Sequence, residues 1–401
     1  MRAMKDSGIE WIGEIPESWS LCRIKRVAEI ITGNTPSKAS DNLNYSEDGI
    51  MWIKPDNLMG TIPIQETIEH LSEEGTKLAR VVPSKTPLIC CIGTVGKVGY
   101  AEEEASFNQQ INAICFDNTI DTRFGLYCLI AQEEQQKCFA NGNVLKILNA
   151  ETQGNLFIAI PPLDEQMNIS KYLDTKCAEI DALIAAKEKT NTLLKERRQS
   201  IIYEAVTKGL DPTVPMKDSG VEWIGEIPEG WEIIRAKYVA TIANGSDPKE
   251  EGDTPVFGSG SDSFRTCGEY KEGPAVLIGR KGATLHIPHY VEGKYWNVDT
   301  AFDVKTDESK YLLKYYYYAS ICFDYKLYIS TTTLPSMTQT NYGNMFLPFP
   351  STREQQEIIN HIEKTLCVID SLILTNATTI QKLKEYRQSL IYEAVTGKIE
   401  V

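Results

Sequence analysis

The sequence predicts an α/β fold of the α+β type, built twice. Two domains of mixed sheet and helices are linked by two long antiparallel coiled-coil helices with pseudo-two-fold symmetry. Three observations predict it. The stretch MKDSGIEWIGEIPESW, Met4–Trp19, returns as MKDSGVEWIGEIPEGW, Met216–Trp231, with only Ile9/Val221 and Ser18/Gly230 differing. A second stretch, KERRQSIIYEAVT from Lys195 to Thr207, returns as KEYRQSLIYEAVT from Lys384 to Thr396. Each copy of the second stretch closes a long helical heptad pattern. The period is far too long for a solenoid, so each copy is a domain plus a helix. The chain then divides into a first domain at 1–160, a first helix at 161–210, a second domain at 211–349 and a second helix at 350–401.

In the first half, Trp11, Ile12, Ile15, Pro16 and Trp19 form an apolar, irregular lead-in that clips onto a core. Ser20–Ile31 has mixed periodicity and fits a short strand or a helix. Gly33–Lys38 is a turn-rich loop. Ile50–Lys54, Pro87–Ile92 and Ile111–Phe116 predict buried strands. Arg123–Ala140 predicts a helix, and Asn155–Ile160 one more strand.

Pro161 and Pro162 stop what precedes them, and Asp164 supplies a helix cap. The helical pattern then runs without Gly or Pro to Lys208, and Gly209 ends it. At ~1.5 Å per residue this helix is on the order of 65 Å long. Alternating steps of four and three put Ile169, Leu173, Cys177, Ile180, Ile184, Lys187, Asn191, Leu194, Arg198, Ile201 and Ala205 on one stripe. The second copy keeps that register from Ile358 through Asn376 and Arg387 to Ala394. One small domain cannot bury so long a stripe, so the two helices pack on each other and leave a further face for partners.

Asp211–Pro215 is a short linker. In the second half, Ala275–Ile278, Leu285–Pro288 and Ala301–Val304 predict strands, Tyr311–Ser320 a helix, and Asn344–Phe349 a closing strand. Gly154-Asn155-Leu156-Phe157 matches Gly343-Asn344-Met345-Phe346 at the same offset as the long helices. The two interiors therefore share a fold despite their divergence.

The chain of 401 residues is long enough for two or three domains with their own cores. Its formal charge of −14 argues against attraction of the whole molecule to nucleic acid, so any such role rests on local surface. The ten cysteines show no paired metal spacing and mostly sit in apolar runs, as reduced thiols of a cytoplasmic protein do. No signal-peptide core precedes the first repeat, and no apolar run approaches the ~18 residues of a membrane span.

Together the quoted stretches resemble the specificity subunit of type I restriction-modification systems. The likeness is carried by WIGEIPESW with WIGEIPEGW, by the two helix starts with EQ after proline, and by RRQSIIYEAVTKG with YRQSLIYEAVTGK. Gly93-Thr94-Val95-Gly96-Lys97 and Gly279-Arg280-Lys281-Gly282 are similar to the glycine-rich loop of that family's target recognition domains. The resemblance covers the whole chain. It implies a non-catalytic subunit whose two target recognition domains each read one half of a split, asymmetric site in double-stranded DNA. It also implies that the helices dock methyltransferase subunits, two per chain, with restriction subunits completing the complex. S-adenosylmethionine then belongs to the partner methyltransferase, and this chain holds no cofactor.

For DNA contact, Lys97, Arg280 and Lys281 lie in glycine-rich turns, where cation and backbone can both approach phosphate; the alternative is solvated turn charge. Asn108, Gln109 and Gln110 carry amides suited to adenine edges, or they cap and bridge strands. Thr331 and Thr332 can hydrogen-bond phosphate, or simply favour a strand. Arg197, Tyr203, Arg387 and Tyr392, in the repeated helix ends, are candidate partner contacts. Tyr315–Tyr318 could offer a stacking surface, but a helical face packed into the core is the better reading.

Competing chemistries fail on their residues. A phosphate loop at Gly93–Lys97 would need Gly at Cys91 and Ser or Thr at Val98. Glu292-Gly293-Lys294 and Glu308-Ser309-Lys310 lack the Pro-Asp element of a paired-acid nuclease. Phe257-Gly258-Ser259-Gly260 faintly resembles a methyl-donor loop, without the Asn/Asp-Pro-Pro-aromatic stretch that should accompany it. His286 and His289 have no further ligands for a metal. The remaining alternative is a coiled-coil interaction scaffold with no DNA role.

Overall fold

The computed structural model describes residues 2–37, 43–142, 145–260, 262–329 and 335–401. The chain forms two compact units, and each takes helix from both halves of the sequence. The first is Met1–Lys187 with Thr378–Val401, and the second is Glu188–Ala377. The boundaries thus fall inside the two long helices, Leu163–Lys208 and Thr352–Val395, and not at the ends of the four sequence segments.

In the first unit an antiparallel sheet runs in the order Val98–Gly99, Leu88–Cys90, Ile111–Phe116, Ala28–Thr32. A second sheet joins Tyr45–Ser46, His70–Leu71, Ile50–Ile53, Ala105–Phe107 and Val81–Val82, and its Ile50–Ile53 and Ala105–Phe107 strands are parallel. Phe157–Ile160 returns to pair with Ser20–Arg23. The second unit repeats the plan. Ala240–Asn244, Ala301–Thr306, Ala275–Gly279 and His289–Val291 form the four-stranded antiparallel sheet. Arg265–Cys267, Thr254–Phe257, Lys294–Asn297 and Lys271–Glu272 form the mixed sheet, and Phe346–Phe349 pairs with Glu232–Arg235. The shared fold expected of the two interiors is present.

The repeated sequences make the same bonds twice. Met4–Asp6 pairs with Glu14–Pro16, and Met216–Asp218 with Glu226–Pro228, so the lead-in is a small hairpin and not irregular. Asp6 and Asp218 each accept from the amide of the glycine two residues on, Gly8 and Gly220, whose φ values of 70° and 71° suit glycine. Each hairpin is gripped by a helix end: Tyr392 donates to the Ile12 carbonyl in the first unit, and Tyr203 to the Ile224 carbonyl in the second, both at 3.2 Å. The hairpin-closing tryptophans reach a helix start: Trp19 Nε1 donates to Glu165 and Trp231 Nε1 to Glu354. Repeated sequence is therefore sequence that touches other repeated sequence.

The heptad stripes pack as antiparallel pairs within each unit. Ile169, Leu173, Cys177, Ile180 and Ile184 share a core with Leu390, Ile391, Ala394 and Val395 in the first. Ile201, Ile202 and Ala205 share one with Ile358, Ile362, Leu366 and Ile369 in the second. The polar positions are partnered across the seam. Asp181 meets Arg387 at 3.0 Å, Asp370 meets Arg198 at 3.4 Å, and Asn376 donates to Asn191 at 3.0 Å. Buried asparagine at such a position fixes register at some expense in stability.

Some elements differ from expectation. The Arg123–Ala140 helix is two, Thr122–Ala131 and Glu133–Phe139, because Gln132 turns out of line to cap both. Leu285–Pro288 is a turn, and the strand begins at His289. Ser20–Ile31 is two strands around a 3-10 turn at Ile24–Arg26. The face of Leu313–Ile321 that carries Tyr315, Tyr316 and Tyr318 is buried in the core, as the helical spacing favoured. All ten cysteines are free. Among the described residues, no helix is long and apolar enough to cross a membrane.

Candidate nucleic-acid interface

Among the described residues, the predicted contacts of each unit, Lys97 and Asn108–Gln110 in the first and Arg280 and Lys281 in the second, lie on loops where strands of both sheets end. In the first unit, Asn34 N–H bonds to the Phe107 carbonyl, Asn108 N–H to Ile53, Cys91 N–H to Gln110, and Gly93 N–H to Lys146. The loops after Thr32, Ile53, Cys90 and Phe107 are thereby laced into one ridge. The second unit laces the equivalent loops with the same bonds: Ser246 to Asn297, Val298 to Phe257, Arg280 to Thr300, and Gly282 to Pro335. Two glycines permit the lacing. A Cβ on Gly33 would stand 2.2 Å from the Asn108 carbonyl oxygen, and one on Gly245 would stand 2.1 Å from that of Val298. Gly93 and Gly282, with φ of 87° and 116°, turn the chain at matching points.

The ridge gives the predicted residues different roles. Lys97 is turned inward: its ammonium donates to the Pro55 carbonyl at 3.0 Å and to that of Asp56 at 3.5 Å, so it clamps a neighbouring loop. Asn108 is buried and closes its own turn, accepting from Gln110 N–H and donating to the Gln110 side chain. Gln110 is half-buried by that bond, while Gln109 is exposed and bonded to Thr35. Arg280 is half-buried against the Phe302 ring and donates to the Asp299 carbonyl. Lys281 is open and holds Asp299 at 3.8 Å. Thr331 and Thr332 lie outside the described residues.

Sequence reasoning passed over two residues of this edge. Lys54 follows Ile53, its ammonium 4.9 Å from the centre of the Trp52 ring and 3.0 Å from Glu69. Phe264 is largely exposed and would be 3.6 Å from a Cβ on Gly258. An aromatic beside a cation at a strand end was the available signal.

Of the four candidate partner contacts, three bond within their own unit. Tyr203 and Tyr392 hold the hairpins, and Arg387 pins Asp181 and donates to Thr61 Oγ1. Arg197 is exposed and meets Glu204 at 3.8 Å. His286 is exposed in a turn. His289 lies in a strand, its ring 6.0 Å from that of Phe257; burial pushes its pKa below the ordinary histidine value and Asp262 opposes that. Among the described residues, no three His, Cys, Asp or Glu side chains cluster as a metal site requires.

Comparison with known proteins bears on the family and the fold. The family model for the type I restriction modification DNA specificity domain matches residues 16–194 and again 228–385. The putative type I restriction enzyme MjaX specificity subunit of Methanocaldococcus jannaschii is 25% identical over 423 residues, covering 97% of this chain and 96% of the relative. The type I restriction enzyme EcoBI specificity subunit of Escherichia coli is 23% identical over 431 residues, covering 98% and 89%. A solved structure from work on complex assembly and conformational transition of the type I R-M system superposes with a TM-score of 0.73 at 16% identity, covering 96% of this chain and 99% of that one. The HsdS subunit from Thermoanaerobacter tengcongensis superposes at 0.51, also at 16% identity, covering 96% and 98%.

Proposed function

The chain belongs to the type I restriction-modification DNA specificity family, and on that premise we propose that it is the DNA-reading subunit of such a system, each recognition domain taking one half of a split target. The observation that carries this is the double occurrence of one laced loop edge on one topology with different side chains on each copy. Two equivalent frames meet two half-sites. Different side chains on those frames read different bases, which makes the target asymmetric.

Net charge does not drive the encounter. Two cations near the edge are paired with acids, Lys281 with Asp299 and Arg265 with Asp247. Exposed pairs of this kind are worth about 0–1 kcal/mol, so phosphate can displace the acid at little cost. The chain itself neither methylates nor cuts. Those steps fall to methyltransferase subunits, two per chain, which carry S-adenosylmethionine, and to restriction subunits. The exposed Arg197, Leu193, Val368 and Leu372 support docking of partners on the helices. The place of action is the cytoplasm, where the DNA is.

The test is genome-wide mapping of methylated bases in a host expressing this chain with its methyltransferase. One bipartite motif with a fixed spacer is expected. Modification that does not depend on this chain, or that follows no bipartite motif, contradicts the proposal.

A further inference from the structure

Each long helix begins with a buried glutamine that makes three hydrogen bonds. Gln166, 1% exposed, accepts from the Asp121 N–H at 2.8 Å and donates to the carbonyls of Thr119 and Pro161 at 3.0 Å each. Gln355, 0% exposed, accepts from the Leu312 N–H at 2.7 Å and donates to the carbonyls of Lys310 and Pro350 at 3.0 Å each. Asp121 and Leu312 immediately precede the domain helices Thr122–Ala131 and Leu313–Ile321, whose buried faces form the domain cores. Each glutamine therefore ties the first turn of a long helix to the first turn of a recognition-domain helix.

All six bonds go to backbone. The gripped segments are Thr119-Ile120-Asp121 and Lys310-Tyr311-Leu312, with no residue in common. A grip on a carbonyl and an amide two residues apart does not read side chains. A constant helix can thus hold a domain whose sequence is free to change.

We infer that Gln166 and Gln355 are positioning residues that fix the angle of each recognition domain on its helix, and so set how strictly the spacer between half-sites is measured. This rests on the bipartite reading proposed above. Neither glutamine touches DNA. Removing one leaves the bases read unchanged and loosens only the geometry. Gln166→Met keeps the volume but strands two carbonyls and an N–H. Gln166→Glu keeps the bond to the Asp121 amide and loses both donations.

The experiment uses the full chain assembled with its methyltransferase and has two arms. The first follows amide exchange at Asp121 and Leu312. Gln166→Met should speed exchange at Asp121 and leave Leu312 unchanged, and Gln355→Met should do the reverse. The second measures methylation of targets whose spacer is one base pair longer or shorter. Relative to the wild-type target, off-length targets should gain about tenfold, the scale of one lost buried hydrogen bond. Ile114→Val, a core change away from the grip, controls for lowered stability and should leave spacer selectivity intact. If Gln166→Met does not assemble, Gln166→Glu serves in the spacer arm with a smaller shift, and Gln355→Met carries the exchange arm, because Gln166→Glu keeps its bond to the Asp121 amide. Faster exchange with unaltered spacer selectivity, or a matching loss of selectivity in Ile114→Val, overturns the positioning role. A wild-type complex with no bipartite target defeats the reading underneath instead. The exchange arm still decides whether the glutamines hold the domains, and unchanged exchange overturns that.

Discussion

The two units solve one packing problem with opposite chemistry. In the first, Asn112 on the central strand donates to Gln153 at 2.8 Å, and Gln153 donates to Gln136 at 3.2 Å, a chain of buried amides. At the matching places in the second stand Phe302 and Tyr342, both buried, with ring centroids 5.8 Å apart and edge to face. The Tyr342 hydroxyl finds the Gly279 carbonyl at 2.6 Å. The hairpins and the glutamine grips repeat their bonds in both units, and the tyrosine grips share the bond from hydroxyl to carbonyl, to which the first unit adds Lys398 on the Ile12 carbonyl at 2.6 Å. Contacts between constant parts must stay constant. Contacts inside a domain can be replaced, provided that they are replaced as a set.

The largest expected effect bears on the frame. Seven residues inserted after Lys187 and seven more after Ala377 fall at the unit boundaries and keep both stripes in phase. Each helix lengthens by ~10 Å, and the preferred spacer should grow by about three base pairs with half-sites unchanged. Methylome mapping would show this. An unaltered spacer in an active complex would make the helices a docking surface only.

Next come the interiors. Asn112→Phe alone overfills its site and strands Gln153, and Phe302→Asn alone leaves a cavity and an orphan amide. Each should cost about 3–5 kcal/mol in urea unfolding. A neutral single exchange would mean that the two cores are less distinct than their bonds indicate.

A smaller difference separates two helix-seam arginines that occupy matching positions. Arg387 is 18% exposed and holds both Asp181 and Thr61, while Arg198, 33% exposed, meets an Asp370 that is 56% exposed. Arg387→Ala should lose about 2–3 kcal/mol and Arg198→Ala no more than about 1. Equal losses in thermal or urea melts would refute the asymmetry.

The smallest effects concern surface charge. Lys281→Glu should weaken DNA binding and reduce the salt slope by about one, as loss of one phosphate contact does. Lys97→Gln should leave the slope and lower stability instead, because its ammonium serves two carbonyls. A changed slope for Lys97→Gln would put that lysine on DNA.

The repeats made the frame legible, because periodicity and duplication are properties of sequence. The stripe from Ile169 to Ala205 and its copy are buried toward their ends, at Ile169–Ile184, Ile201–Ala205, Ile358–Ile369 and Leu390–Ala394, and half-buried at Lys187, Leu194, Arg198, Ile373, Leu383 and Arg387 between. The edge was legible only in part. Gly93, Lys97, Arg280 and Lys281 were found as loop residues, but whether an ammonium faces out or turns onto a neighbouring carbonyl depends on loops distant in sequence. Lys97 turns in on Pro55, which no local pattern announces. The glutamine after each helix start was visible as EQ, but its backbone partners on the domain loop were not. Leu285–Pro288 misled because alternating leucine and isoleucine fit a turn as well as a strand: Leu285 is buried, while His286 and Ile287 are exposed.

The central claim is that two equivalent frames hold independent readers. It is tested most directly by replacing Ser20–Ile160 with a second copy of Glu232–Phe349, keeping the hairpins and helices in place. The graft carries its own loop for Gln166 to grip. Mapping of methylated sites should then return a symmetric target, two inverted copies of the second half-site at the original separation. A target that keeps its first half-site, or one that changes in both halves, would contradict the account.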